Sequence, residues 1–105
     1  MEGWIDLLKR LCETLGVFGY EEGVIEVVKE ELGPHTDRIE VDHMGNVFAP
    51  RRGSSEKAPK VMVTTHMDEV GLVVKYIDDS GFVRFDRLGG VPEKVLPGQR
   101  VVIHG

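Results

Sequence analysis

Val61-Met62-Val63-Thr64-Thr65-His66-Met67-Asp68-Glu69-Val70-Gly71 is the stretch whose reading decides the fold. Its β-branched and apolar residues, preceded by a polar loop and followed by glycine, predict a strand over residues 60 to 65. Such a strand delivers a His-x-Asp-Glu cluster at its carboxyl end, where open α/β sheets place ligands and chemistry. On extended backbone His66 and Asp68 share a side, so Asp68 reaches the second imidazole nitrogen and fixes the tautomer of a metal-ligating His66. Met67 and Glu69 point the other way. The bare spacing reads equally well as a histidine at a strand end that happens to precede acidic residues. A catalytic zinc-type site also takes three protein ligands and a structural one four, and His66 is one.

Working towards the amino terminus, Arg51 to Pro59 is a polar loop. Before it, Ile39 and Val41 alternate with charged residues, His43-Met44-Gly45-Asn46 makes a turn, and Val47-Phe48 resumes the apolar pattern, which predicts a β-hairpin. His43 and His35 read as solvated residues beside turns. Further upstream, Trp4, Leu7, Leu8, Leu11 and Leu15 recur at intervals of three and four, the mark of a helix that Gly16 stops. Val24, Val27, Val28 and Leu32 give a second helix its apolar stripe. Gly33 is expected to end it with a left-handed cap before Pro34. Glu21-Glu22 suits the first turn of that helix and opposes an anion there, so Gly19-Tyr20-Glu21-Glu22 reads as helix initiation.

Towards the carboxyl terminus the pattern changes. Leu72 to Ile77, the turn Asp78-Asp79-Ser80-Gly81, and Phe82 to Phe85 predict a hairpin. Leu88-Gly89-Gly90-Val91-Pro92 is a sharp loop, Leu96-Pro97-Gly98-Gln99 a turn, and Arg100 to Ile103 the start of another strand. Residues 1–70 therefore alternate helices and strands in the α/β manner, and residues 71–105 read as short strands and turns, as small barrels do. The sequence looks unfinished at Val101-Val102-Ile103, an apolar edge that calls for a partner.

With 105 residues the chain has the length of one ordinary domain. Its net charge of −5 and lack of a basic block argue against nucleic acid. Cys12, the single cysteine, lies among the apolar residues of the first helix, where a structural role is expected. It permits no internal disulfide and favours a reducing compartment. No apolar run has the length of a membrane span, so a cytoplasmic location is expected. No Gly-x-Ser-x-Gly elbow is present for a serine triad. Asp68 and Glu69 are adjacent and diverge on a strand, unlike the facing carboxylates of glycosidases.

Gly16-Val17-Phe18-Gly19-Tyr20-Glu21-Glu22, Asp42-His43-Met44-Gly45-Asn46, the stretch 61–71, Leu88-Gly89-Gly90 and Leu96-Pro97-Gly98-Gln99-Arg100-Val101, taken in order, closely resemble the amino-terminal part of the tetrahedral (TET) dinuclear-metal aminopeptidases. This group includes glutamyl and deblocking aminopeptidases, and some members carry the label endoglucanase, for which the residues give no physical support. The resemblance implies the amino-terminal portion of an α/β catalytic domain over 1–70. At 71–105 it implies the first strands of an inserted small β-barrel domain used in dimerisation, within large multisubunit shells. It implies that His66 matches the first metal-ligating histidine and that Asp68 matches the active-site aspartate that orients it. It also implies two divalent ions, commonly zinc or cobalt, peptide substrates, and a glutamate as general base. Phe18 departs from the family pattern, which often has a small residue there. The remaining ligands and the base lie, in the family, beyond Gly105. The expectation is therefore a truncated or fragmentary metallo-aminopeptidase, silent alone. The alternatives are a self-associating or partner-binding module and one half of a split enzyme completed by a missing carboxyl-terminal portion.

Overall fold

The computed structural model describes residues 2–105. The chain divides into two compact units, Met1–Asp68 (described from residue 2) and Glu69–Gly105.

The first unit opens with α1, Glu2–Glu13, and α2, Glu22–Leu32. The Thr14 N–H still donates to the Arg10 carbonyl at 3.1 Å, and the Thr14 hydroxyl donates to the same oxygen at 2.7 Å, so the last turn of α1 is closed by a side chain. Two contacts tie the helices together. Arg10 of α1 pairs with Glu30 and, at 3.2 Å, with Glu31 of α2. At the other end of α2, a Cβ on Gly23 would stand 2.9 Å from Thr14 Cγ2, so only a glycine lets the chain come this close.

The expected left-handed cap at Gly33 does not form. Gly33 sits at φ −49° and ψ −49°, in ordinary helical space, and the chain tightens into a 3-10 turn over Gly33–His35. Pro34 explains this: with φ already near its fixed value it fits the first positions of a new turn, so the helix is tightened rather than reversed.

The hairpin follows as expected, with β1, Glu40–Val41, antiparallel to β2, Val47–Phe48. Asp37 closes its base: its N–H donates to the Pro50 carbonyl at 3.0 Å, and its carboxylate accepts from the Arg52 N–H at 2.7 Å. At the tip, Asp42 Oδ1 accepts from the N–H groups of Met44 and Asn46, each at 2.9 Å, and Oδ2 accepts from the Asn46 side-chain amide at 2.9 Å. Gly45 takes φ +82°.

The second unit is built on β3, Gly71–Ile77, antiparallel to β4, Val83–Leu88, the hairpin the sequence predicts. The register slips between Val74 and Tyr76, which leaves Lys75 as a bulge. The tip repeats the first hairpin's chemistry: Asp78 Oδ1 accepts from the N–H groups of Ser80 at 3.1 Å and Phe82 at 2.9 Å, and Gly81 takes φ +84°. Gln99 N–H closes the Leu96–Gln99 turn on the Leu96 carbonyl at 3.1 Å, with Gly98 at φ +81°.

Two expected strands are absent. Residues 60–65 and 100–103 join no sheet among the described residues, and Val61, Met62 and Val63 are 82%, 85% and 89% exposed. A strand is stable only as part of a ladder, and the two described hairpins pair only within themselves. Cys12 also departs from expectation, being an exposed free thiol rather than a core residue.

Gly81→Ala, which forces a side chain into the left-handed region, is expected to cost the second unit roughly 1–2 kcal/mol. Gly89→Ala should cost more, because Gly89 combines φ +77° with a Cβ position only 2.9 Å from Val70 Cγ1; urea denaturation of the two variants orders them. The Asn46 side-chain amide and then the Asn46 and Met44 N–H groups hold the Asp42 carboxyl below its ordinary value, with a small contribution from His43 and desolvation opposing. A lowered folded value means that this stabilisation is complete above about pH 4 and is lost as the pH falls through the folded value. Asp42→Asn, whose oxygen still accepts from both N–H groups, should remove that acid dependence in amide exchange at Asn46 while the hairpin persists.

Candidate functional site

The residues the sequence singles out lie in the first unit, just after the apolar run. His66 Nδ1 stands 3.0 Å from the Asp68 carbonyl oxygen and 3.1 Å from Asp68 Oδ1. A carbonyl oxygen only accepts, so Nδ1 carries the proton and donates to both oxygens. In the neutral ring this leaves Nε2 with a bare lone pair, the form in which histidine ligates a metal. His66 is 83% exposed at its side chain and Asp68 42%, so the bare nitrogen is open to solvent.

Although no sheet is formed here, Asp68 meets the imidazole as the extended spacing predicts, because a contact across two residues depends only on the local backbone. The adjacent Glu69 is exposed, and so are His35 and His43. Among the described residues no three His, Cys, Asp or Glu side chains are gathered as a metal would need. One imidazole and a carboxylate already occupied with orienting it fall short of the three or four protein ligands of a zinc-type site. The residues present therefore fit one corner of a metal centre and not a whole one.

What lies behind the pair is Gly16, which the sequence marks as a helix stop and as the first residue of the Gly16–Glu22 motif. Gly16 is buried, and a Cβ on it would stand 2.7 Å from Val24 Cγ2 and 3.5 Å from the carbonyl oxygen of Met67, the residue between His66 and Asp68. No periodicity in the sequence signals this contact, since it joins positions about fifty residues apart. The neighbouring aromatics Phe18 and Tyr20 are exposed on the turn around Gly19, which takes φ +83°.

Residues 45–105 match the peptidase M42 family, described as M42 glutamyl aminopeptidase. The match spans more than half of the chain, and the chain belongs to this family. A putative aminopeptidase of Acetivibrio thermocellus is 46% identical over 100 residues, covering 95% of this chain and 29% of that protein. Among solved structures, the TET aminopeptidase of a marine sediment archaeon of the Thaumarchaeota superposes with a TM-score of 0.84 at 35% identity, covering 93% of this chain and 27% of its own. The endoglucanase of Thermotoga maritima gives 0.79 at 40% identity, covering 87% and 29%. The resemblance to the TET aminopeptidases is thus borne out. The chain spans somewhat more than a quarter of the length of these relatives.

Asp68→Ala is expected to weaken, not abolish, the Nδ1-protonated form of His66, because the residue 68 carbonyl remains as an acceptor. Nitrogen-15 NMR of the ring reads the proton's position. A His66 signal unchanged by the substitution would mean that the carboxylate does no orienting.

Proposed function

We propose that the chain is the amino-terminal portion of an M42 metallo-aminopeptidase, carrying one histidine corner of a two-metal centre and silent by itself. The supporting observation is the His66–Asp68 hydrogen bond, which protonates Nδ1 and bares Nε2 in a member of this family. In this reading His66 Nε2 ligates a divalent ion, zinc or cobalt, and Asp68 orients the ring and raises its basicity. The ions of a complete centre would activate a water and polarise the scissile carbonyl of a peptide substrate. This chain's own residues bind and orient at one corner only. Metal affinity comes from the full ligand set, so the isolated chain is expected to bind metal poorly.

The same reading makes residues 71–105 the first strands of a β-barrel dimerisation domain and places the protein in the cytoplasm. No helix among the described residues is long and apolar enough to cross a membrane. An endoglucanase activity finds no support in the side chains: Asp68 is engaged with His66, and Glu69 is its immediate neighbour, so the two do not face each other across a sugar.

A second reading, self-association or pairing with a separate carboxyl-terminal portion, is favoured by the exposed apolar runs Val61–Val63 and Val101–Ile103. Sedimentation separates the two: a monomer at high concentration speaks against self-association.

The purified chain, given zinc or cobalt, is expected to show no release of chromophore from aminoacyl chromogenic substrates. Turnover that disappears in His66→Ala would overturn the proposal of a silent portion.

A further inference from the structure

Gly16, Val24 and Val27 are the only buried residues among those described, and two of them meet at the point where the His66 segment passes. Gly16 does not occupy the left-handed region, so no backbone requirement explains a glycine there. Space does. A methyl at this position would be 2.7 Å from Val24 Cγ2, and Val24 is 5% exposed and stiff at its first side-chain torsion, with little room to turn away. On the Met67 side the same methyl would already be in contact, at 3.5 Å from the carbonyl oxygen.

We propose that Gly16 is a positioning residue for the His66–Asp68 pair: a side chain there could escape Val24 only by pressing on the Met67 carbonyl, already at contact distance, so its absence leaves undisturbed the backbone across which His66 reaches Asp68. The hydrogen bonds from Nδ1 to the Asp68 carbonyl and carboxylate close rings that include the Met67 backbone. A displacement of Met67 therefore changes the direction of the imidazole. The functional meaning of the inference rests on His66 as a metal ligand; its measurable consequence does not, because the position of the ring proton is read without metal.

A glycine that merely stops α1 would tolerate alanine with no effect on His66. Gly16→Ala is instead expected to move His66 from the Nδ1-protonated form towards the mixed tautomers of an unconstrained histidine, read by nitrogen-15 NMR at about pH 8.5, where imidazoles are neutral. Val24→Ala, which removes the obstructing methyl, should keep the native His66 pattern. The double variant Gly16→Ala/Val24→Ala should regain it, a non-additive recovery that a general loss of stability does not give. The amide signals of the β1–β2 hairpin report whether the first unit is folded. A folded Gly16→Ala chain with the native His66 pattern overturns the proposal. Should Gly16→Ala unfold the unit, the double variant decides: recovery of the pattern supports the proposal and its absence overturns it. Failure of the ligand reading would leave this tautomer result untouched, because neither metal nor activity enters it.

Discussion

A carboxylate placed at the first position of each hairpin turn holds much of this chain's regular β-structure together. Asp42 and Asp78 each accept from the N–H groups two and four residues on, the intervening glycine adopts positive φ, and the strands leave the turn already in register. These bonds satisfy backbone donors that would otherwise face outward and fix the turn without burying anything. That matters here because burial contributes little, with Val24 and Val27 the only buried hydrophobic side chains among the described residues. Asp78 adds a cross-strand tie through Arg84 at 3.0 Å, and Lys75 on the bulge reaches Asp86 at 3.0 Å.

The same fact explains what was legible in the sequence. Features set by neighbours in sequence were readable: both helices, both hairpins and the Leu96–Gln99 turn follow from periodicity and from the positions of Asp, Gly and Pro. So was the meeting of His66 with Asp68, since two residues of extended spacing suffice. What failed or went unseen depends on distant partners. The strands at 60–65 and 100–103 have the right residues and no ladder to join. Cys12, on an apolar stretch of α1, is exposed because the stripe is only partly covered. Gly33 shows a local competition that the pattern alone misjudged, with Pro34 favouring a further tight turn over a left-handed cap. The contact of Gly16 with Val24 and Met67 leaves no trace in any window of sequence.

The candidate site inherits this division between near and far. Its imidazole is oriented by bonds that span two residues and hold without a sheet. Its place in space is another matter, because the run Val61–Val63 is exposed on both of its alternating sides, as a strand buried on both faces would be if uncovered. Burying three such side chains is worth roughly 4.5–9 kcal/mol at 1.5–3 kcal/mol each, on the scale of a small domain's whole stability. On the proposed reading, coverage of that run would decide where His66 stands relative to a second ligand, whereas Asp68 decides which of its nitrogens is available. Gly16, where a Cβ would meet both Val24 of α2 and the Met67 carbonyl, is on the proposed reading the place at which helix packing bears on the direction of the imidazole.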